Sequence, residues 1–180
     1  MDDGSTSGQP SDSELLLNPG RVLVLCVLST GLYVLFWSYY TWKQLQSVTG
    51  EKHFPVWHAL TLFVPVYGLF RLHRHLSIIS ELAVKAGSSS LSPWAGVTLV
   101  LLSNVLAYGS LGITDVAATL VLTAISTGLV TTALFFAQDG LNQVWLAHNR
   151  AAVEKQGVHW AEIVLTGIGL VGWLGVLFEA

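Results

Sequence analysis

Cysteine occurs once in 180 residues, as Cys26, so no intrachain disulfide can form and nothing can be inferred about the redox compartment. Charge is also scarce. Lys, Arg, Asp and Glu make up 11% of the chain, against roughly 25% in soluble domains, while hydrophobic residues reach 52%. Stretches with no Asp, Glu, Lys or Arg run 22–42, 54–70, 86–114, 116–138 and 163–178. At about 1.5 Å per residue, several are long enough to cross a ~30 Å hydrocarbon core. The expected class is therefore an all-α, multi-pass integral membrane protein. The formal net charge of −3 says little about partners, and no nucleic acid is expected among them.

Residues 1–18 include Asp2, Asp3, Asp12 and Glu14 with no base, and their Gly, Ser and Pro bury too little apolar surface to order. They read as a disordered acidic tail, with residues 19–180 as one helical membrane domain. A cleavable signal peptide needs a positive start and a small-residue cleavage site after its apolar run. Neither is seen, so the first apolar segment is expected to remain as an anchor. Hydrophobic segments are expected at 22–42, 54–70, 94–113, 116–138 and 161–178. The third and fourth form a hairpin turning at 108–115. Pro55 and Pro65 interrupt the second, and Pro65 removes a helical hydrogen bond. Arg71 to Lys85 places Leu72, Leu76, Ile79 and Leu82 on one side, which suits an amphipathic helix on the membrane surface. Leu141, Val144, Trp145 and His148 repeat that spacing and predict a second interfacial helix.

Lys and Arg favour the cytoplasmic side. Five spans with the N-terminus inside put six of the eight bases in the cytoplasm and leave Lys43 and Lys52 outside. If segments one and two instead dip in and return, breaking at Gly31 and Pro65, all eight lie inside. That arrangement needs partners for two buried helix breaks. Five spans are the expectation, and the re-entrant pair is the competing arrangement. The two breaks share a breaker followed by Tyr, Leu and Phe: Gly31, Tyr33, Leu35 and Phe36 against Pro65, Tyr67, Leu69 and Phe70. Paired interrupted helices are used by some transporters, whereas two similar aromatic helix ends explain the match more simply.

Gly31, Tyr33, Phe36, Trp37, Tyr39, Tyr40, Trp42 and Lys43 are followed by Pro65 and Tyr67 before a basic stretch, and later by Leu141, Asn142, Trp145, Ala147 and His148. Over residues 20–150 this pattern resembles bacterial multi-pass membrane proteins catalogued as a domain of unknown function, number four-two-three-four. The resemblance implies a multi-pass helical fold and no established activity. Segment 161–180 has no counterpart in it.

Gly167-Ile168-Gly169-Leu170-Val171-Gly172 spells a dinucleotide fingerprint, but that motif needs a preceding strand and a wet helix start. In an apolar segment, Gly169, Gly172 and Gly175 read as a helix-packing face, as do Ala124, Gly128 and Thr132. His73 and His75 point about 200° apart on a helix and cannot share a metal ion; no metal and no cofactor are expected. Asn104 reads as an interhelical hydrogen-bond donor, with Ser103, Thr123, Ser126 and Thr127 as partners. No nucleophile stands in a G-x-S-x-G turn, and no paired carboxylates accompany the segments.

What remains is a basic, aromatic surface. Arg71, Arg74, His75 and Lys85, with Trp37, Tyr40, Asn142 and Trp145, are expected to contact lipid headgroups or a partner. The expected role is non-catalytic: structural, scaffolding or regulatory, in the cell membrane with the N-terminus cytoplasmic. Its partners would be lipid, another membrane protein or a second copy. The alternative is a small transporter or channel subunit built on the helix breaks.

Overall fold

The first apolar segment folds as two helices, α1 (Pro19–Leu28) and α2 (Tyr33–Thr49). Between them Thr30 adopts φ 52° and Gly31 φ 89°. Glycine enters this region freely, whereas a β-branched residue does so at a cost of order 1 kcal/mol or more. Ser29 secures both ends of the break: its hydroxyl donates to the Cys26 carbonyl (3.2 Å) and accepts from the Tyr33 N–H (2.9 Å). The interruption at Gly31 that the re-entrant arrangement requires is therefore present. The segment is not a single helix of spanning length.

The computed structural model describes residues 16–49, 56, 59, 61–148, 154 and 157–178. The acidic tail to residue 15 and most of 50–60 and 149–156 lie outside these, including Lys52 and the first half of segment two. Six helices and no strand are found among the described residues. A 3-10 turn at Thr61–Phe63 leads into α3 (Pro65–Lys85), where Pro65 occupies the first turn, the position at which its missing N–H costs nothing. α4 (Pro93–Ser110) and α5 (Val116–His148) form an antiparallel hairpin, and α6 (Trp160–Phe178) closes the chain. Asp115 caps α5, its carboxylate accepting from the Ala118 N–H at 2.7 Å.

α5 is the spine. Its 33 residues reach about 50 Å. At one end, Asn142 pairs with the Leu17 backbone; further along, a Cβ added to Gly31 would lie 3.1 Å from Val130. α1 therefore runs antiparallel to α5. After the break, the Trp37 indole meets Gln138, so α2 travels back the way α1 came. The last turn of α3 and the loop after it reach the same end, with Ser88 on Gln143. That end, here called the base, gathers the starts of α1, α4 and α6. Away from it, residues 98–138 carry one charged side chain, Asp115 at the hairpin turn. There the outer surface shows Leu101, Leu102, Val105, Tyr108, Val121 and Ile125.

The helix α3 is amphipathic as its spacing predicts, but what its apolar side meets requires a correction. Leu72, Leu76, Ile79 and Ala83 are buried in the protein core rather than turned to a membrane surface. Leu76 rests against Gly96 of α4, so a protein partner already covers that face. Likewise Leu141, Val144 and Trp145 are core residues, and residues 139–148 continue α5 without interruption.

Among the described residues, one helix is long and apolar enough to cross a membrane: Val116–Ala147, 32 residues with a mean hydropathy of 2.0 in its best window. α1 and Trp160–Gly175 of α6 are shorter apolar helices.

Gly169 sits against Leu28 and Ser29 so closely that a methyl group would overlap their backbone, while one at Gly175 would meet nothing within 4 Å. G169A is expected to cost about 1–3 kcal/mol and G175A less than about 0.5 kcal/mol, read from unfolding in detergent.

Candidate functional site

Two buried polar assemblies organise the base. In the first, Glu162, in the first turn of α6, is fully buried and accepts three hydrogen bonds. Arg21 of α1 donates to its Oε2 at 2.7 Å, the His159 backbone N–H to the same oxygen at 2.7 Å, and the Tyr33 hydroxyl of α2 to Oε1 at 3.1 Å. Arg21 also donates to the Gly157 carbonyl at 2.9 Å. The His159–Glu162 contact is half of a capping box, placing a carboxylate where the dipole of α6 favours it. A cavity of about 340 Å³ opens beside this cluster, lined by Asn18, Arg21, Leu25, Glu154 and Val158.

The second assembly is a directed chain. Trp37 Nε1 can only donate, and it does so to Gln138 Oε1 at 2.8 Å. The Gln138 amide nitrogen then donates to Asn142 Oδ1 (2.8 Å), and Asn142 Nδ2 donates to the Leu17 carbonyl (2.7 Å). Each amide is oriented by the one before it, starting from an indole that cannot be reversed. Behind Trp37 the His75 ring lies tilted at 5.2 Å, and Trp42 stacks on His75 at 4.5 Å. Thr41 gives its one hydroxyl proton to the Trp37 carbonyl (2.7 Å), so His75 Nε2, 3.1 Å from that hydroxyl, is assigned as the donor.

These positions redistribute the expected contact surface. Trp37, His75 and Trp145 are buried and present nothing to a headgroup; Asn142 is half-buried and spoken for by Leu17 and Gln138. Tyr33, Phe36 and Trp37 face inward, Trp37 against Gln138 of α5 and Tyr33 against Glu162 of α6, and Tyr40 is left half-buried against Phe36. Arg74 and Lys85 are exposed and Arg71 half-exposed, as surface contacts must be.

Asn104 is exposed, and the link between α4 and α5 is made one position away: Ser103 and Ser126 share a hydroxyl contact at 3.1 Å, and Ser126 donates to the Ser103 carbonyl at 2.9 Å. A single residue step turns a helical side chain by about 100°, which separates the two outcomes. Gly169 packs on α1. Ala124 is exposed, and methyls at Gly128 or Gly172 would meet nothing within 4 Å, so the close approach expected of a packing face is seen at Gly169 and not at these two glycines.

Glu162 and Gln138 are the residues the sequence reading passed over. Glu162 was visible as an acid three residues after His159 at a helix start, the spacing of a capping box. No group of three His, Cys, Asp or Glu able to hold a metal ion occurs among the described residues.

R21M leaves a fully buried carboxylate without its cation and is expected to destabilise by about 3–5 kcal/mol; E162M is expected to cost less because Arg21 retains some exposure. The double variant R21M/E162M is expected to be more stable than R21M, giving a coupling measurable by denaturant unfolding. No family model, curated protein or solved structure matches the chain.

Proposed function

We propose that this chain is an integral membrane protein that acts without catalysis, as a structural, scaffolding or regulatory component of the cell membrane. One observation carries the reading: a base that holds the Arg21–Glu162 pair continues into an α4–α5 hairpin whose outer face is large, apolar and exposed. Contiguous apolar surface of that kind is rare on soluble monomers and is at home in hydrocarbon. The α1–α2 break supports placing it there. Non-helical backbone at membrane depth is tolerated only where protein covers it, and Ser29 is fully buried, with Gly169 pressed on its backbone. In this arrangement the hairpin enters the bilayer, α1 and α2 enter and return, and the basic residues stay on the cytoplasmic side.

A second reading, a small transporter or channel subunit, draws on the same break. An interrupted helix beside a buried Arg21–Glu162 pair is the kind of arrangement that exposes polar groups to a midplane path. Single cysteines along α1 and α2 separate the two: mid-membrane reactivity with a water-soluble thiol reagent would favour transport, and uniform protection would exclude it.

The membrane arrangement is tested in a Cys26→Ser background with one new cysteine at Lys43, Ser89 or Asp115. Impermeant labelling of intact cells is expected to modify Asp115→Cys alone, with Lys43→Cys and Ser89→Cys reacting only after permeabilisation. Labelling of Lys43→Cys and Ser89→Cys on opposite sides would defeat the returning α1–α2 segment.

A further inference from the structure

The apolar face of α3 is used up inside the protein, so its outer face is what any neighbour would meet. At its start that face has an unusual composition for a surface: Phe70 is 70% exposed, Val66 69% and Tyr67 46%. Two arginines stand among them. Arg71 donates through Nε to the Tyr67 hydroxyl at 3.1 Å, with its guanidinium 5.5 Å from the centre of that ring. Arg74, one turn from Phe70, is exposed. A guanidinium has four further N–H donors on its terminal nitrogens, in a plane that matches a phosphate.

The electrostatics are one-sided. From Lys52 to Ser80 the sequence contains three bases, four histidines and no acid. An exposed tryptophan adjoins this helix: Trp94, at the start of α4, lies tilted against His73 with ring centroids 4.4 Å apart. Tryptophan and tyrosine collect at the depth of lipid headgroups, where one edge of the ring is apolar and the other wet. Arginine stems lie along hydrocarbon while their heads reach outward.

We infer that the start of α3 is a docking site for the phosphates of anionic lipids, with Val66, Tyr67 and Phe70 inserted below the headgroups and Arg71 and Arg74 bound to them. The inference rests on the membrane reading above and names the partner of its basic surface. Charge complementarity selects this occupant: among the described residues the first three turns of α3 combine apolar insertion with cations and carry no acid, the pattern that suits an anionic leaflet, and the first acid is Glu81, two turns beyond Arg74.

The test uses the full-length protein in phosphatidylcholine bilayers, with spin-labelled phosphatidylglycerol and spin-labelled phosphatidylcholine as probes of the motionally restricted lipid. Wild-type protein is expected to prefer phosphatidylglycerol by at least about threefold, given on the order of 1 kcal/mol per base near a charged leaflet. The preference should fall steeply in 1 M salt, drop towards unity in R71Q/R74Q, and be largely retained in R71K/R74K. The salt series needs no variant and stands even if R71Q/R74Q loses its fold. A wild-type ratio near one would overturn the inference. So would an undiminished ratio in a folded R71Q/R74Q, which would mark the patch as a protein-binding surface. Absence of any restricted lipid is a separate result, the failure of the membrane reading itself.

Discussion

Glu162 brings a carboxylate into a fully buried site at the start of the last helix, and the arrangement of three helices follows from how that charge is satisfied. Removing an ion from water costs several kcal/mol even after the protein relaxes, so a buried carboxylate persists only with a cation and further donors around it. Arg21 arrives from α1, Tyr33 from α2 and the His159 N–H from α6 itself. For α1 and α2 both to reach one carboxylate, the chain between them has to reverse, and the positive backbone angles of Thr30 and Gly31 provide the reversal. Gly169 then lets α6 settle on the turn. The break is thus held from several sides, which is how strained backbone persists in a folded protein.

The second buried assembly has a different role. From Trp37 through Gln138 and Asn142 to Leu17, every polar group is oriented by its neighbour, and His75 fills the space between Trp37 and Trp42. Aromatic packing and oriented amides together tie α1, α2, α3 and α5 into one block. Among the described residues, the polar fastening of the hairpin beyond that block is Ser103 with Ser126, and its outer side chains are apolar. A polar base and an apolar extension are two surfaces suited to two solvents, and both the proposed membrane placement and the proposed docking of Arg71 and Arg74 to lipid phosphates depend on that division.

How much of this was legible depended on whether a feature is local. Gly31 and Pro65 announce their breaks because backbone freedom and a missing N–H are properties of single residues. The α4–α5 turn was readable from Tyr108 to Asp115 for the same reason. The facing of helices was not. Leu72, Leu76 and Ile79 have identical spacing whether they meet lipid or protein, and the structure gives them to protein. Trp37, His75 and Trp145 resemble interfacial residues in a list of amphipathic residues, yet all three are in the core. Asn104 and Ser103 are adjacent in sequence and point in different directions, so the interhelical contact fell to the less conspicuous of the two. Glu162 escaped notice because it borders an apolar run, where acids are usually solvated.

The sequence by itself determined that this chain is helical, poor in charge and rich in spanning-length apolar stretches, and it marked where two of those stretches must bend. These are consequences of composition and of local backbone chemistry. Only the tertiary structure decided that segment one turns back beside α5, that Arg21 and Glu162, 141 residues apart in sequence, share one buried site, and that α3 offers its arginines rather than its leucines to the surroundings. Such outcomes depend on desolvation and packing between distant residues. Neither is a property of any short stretch of chain.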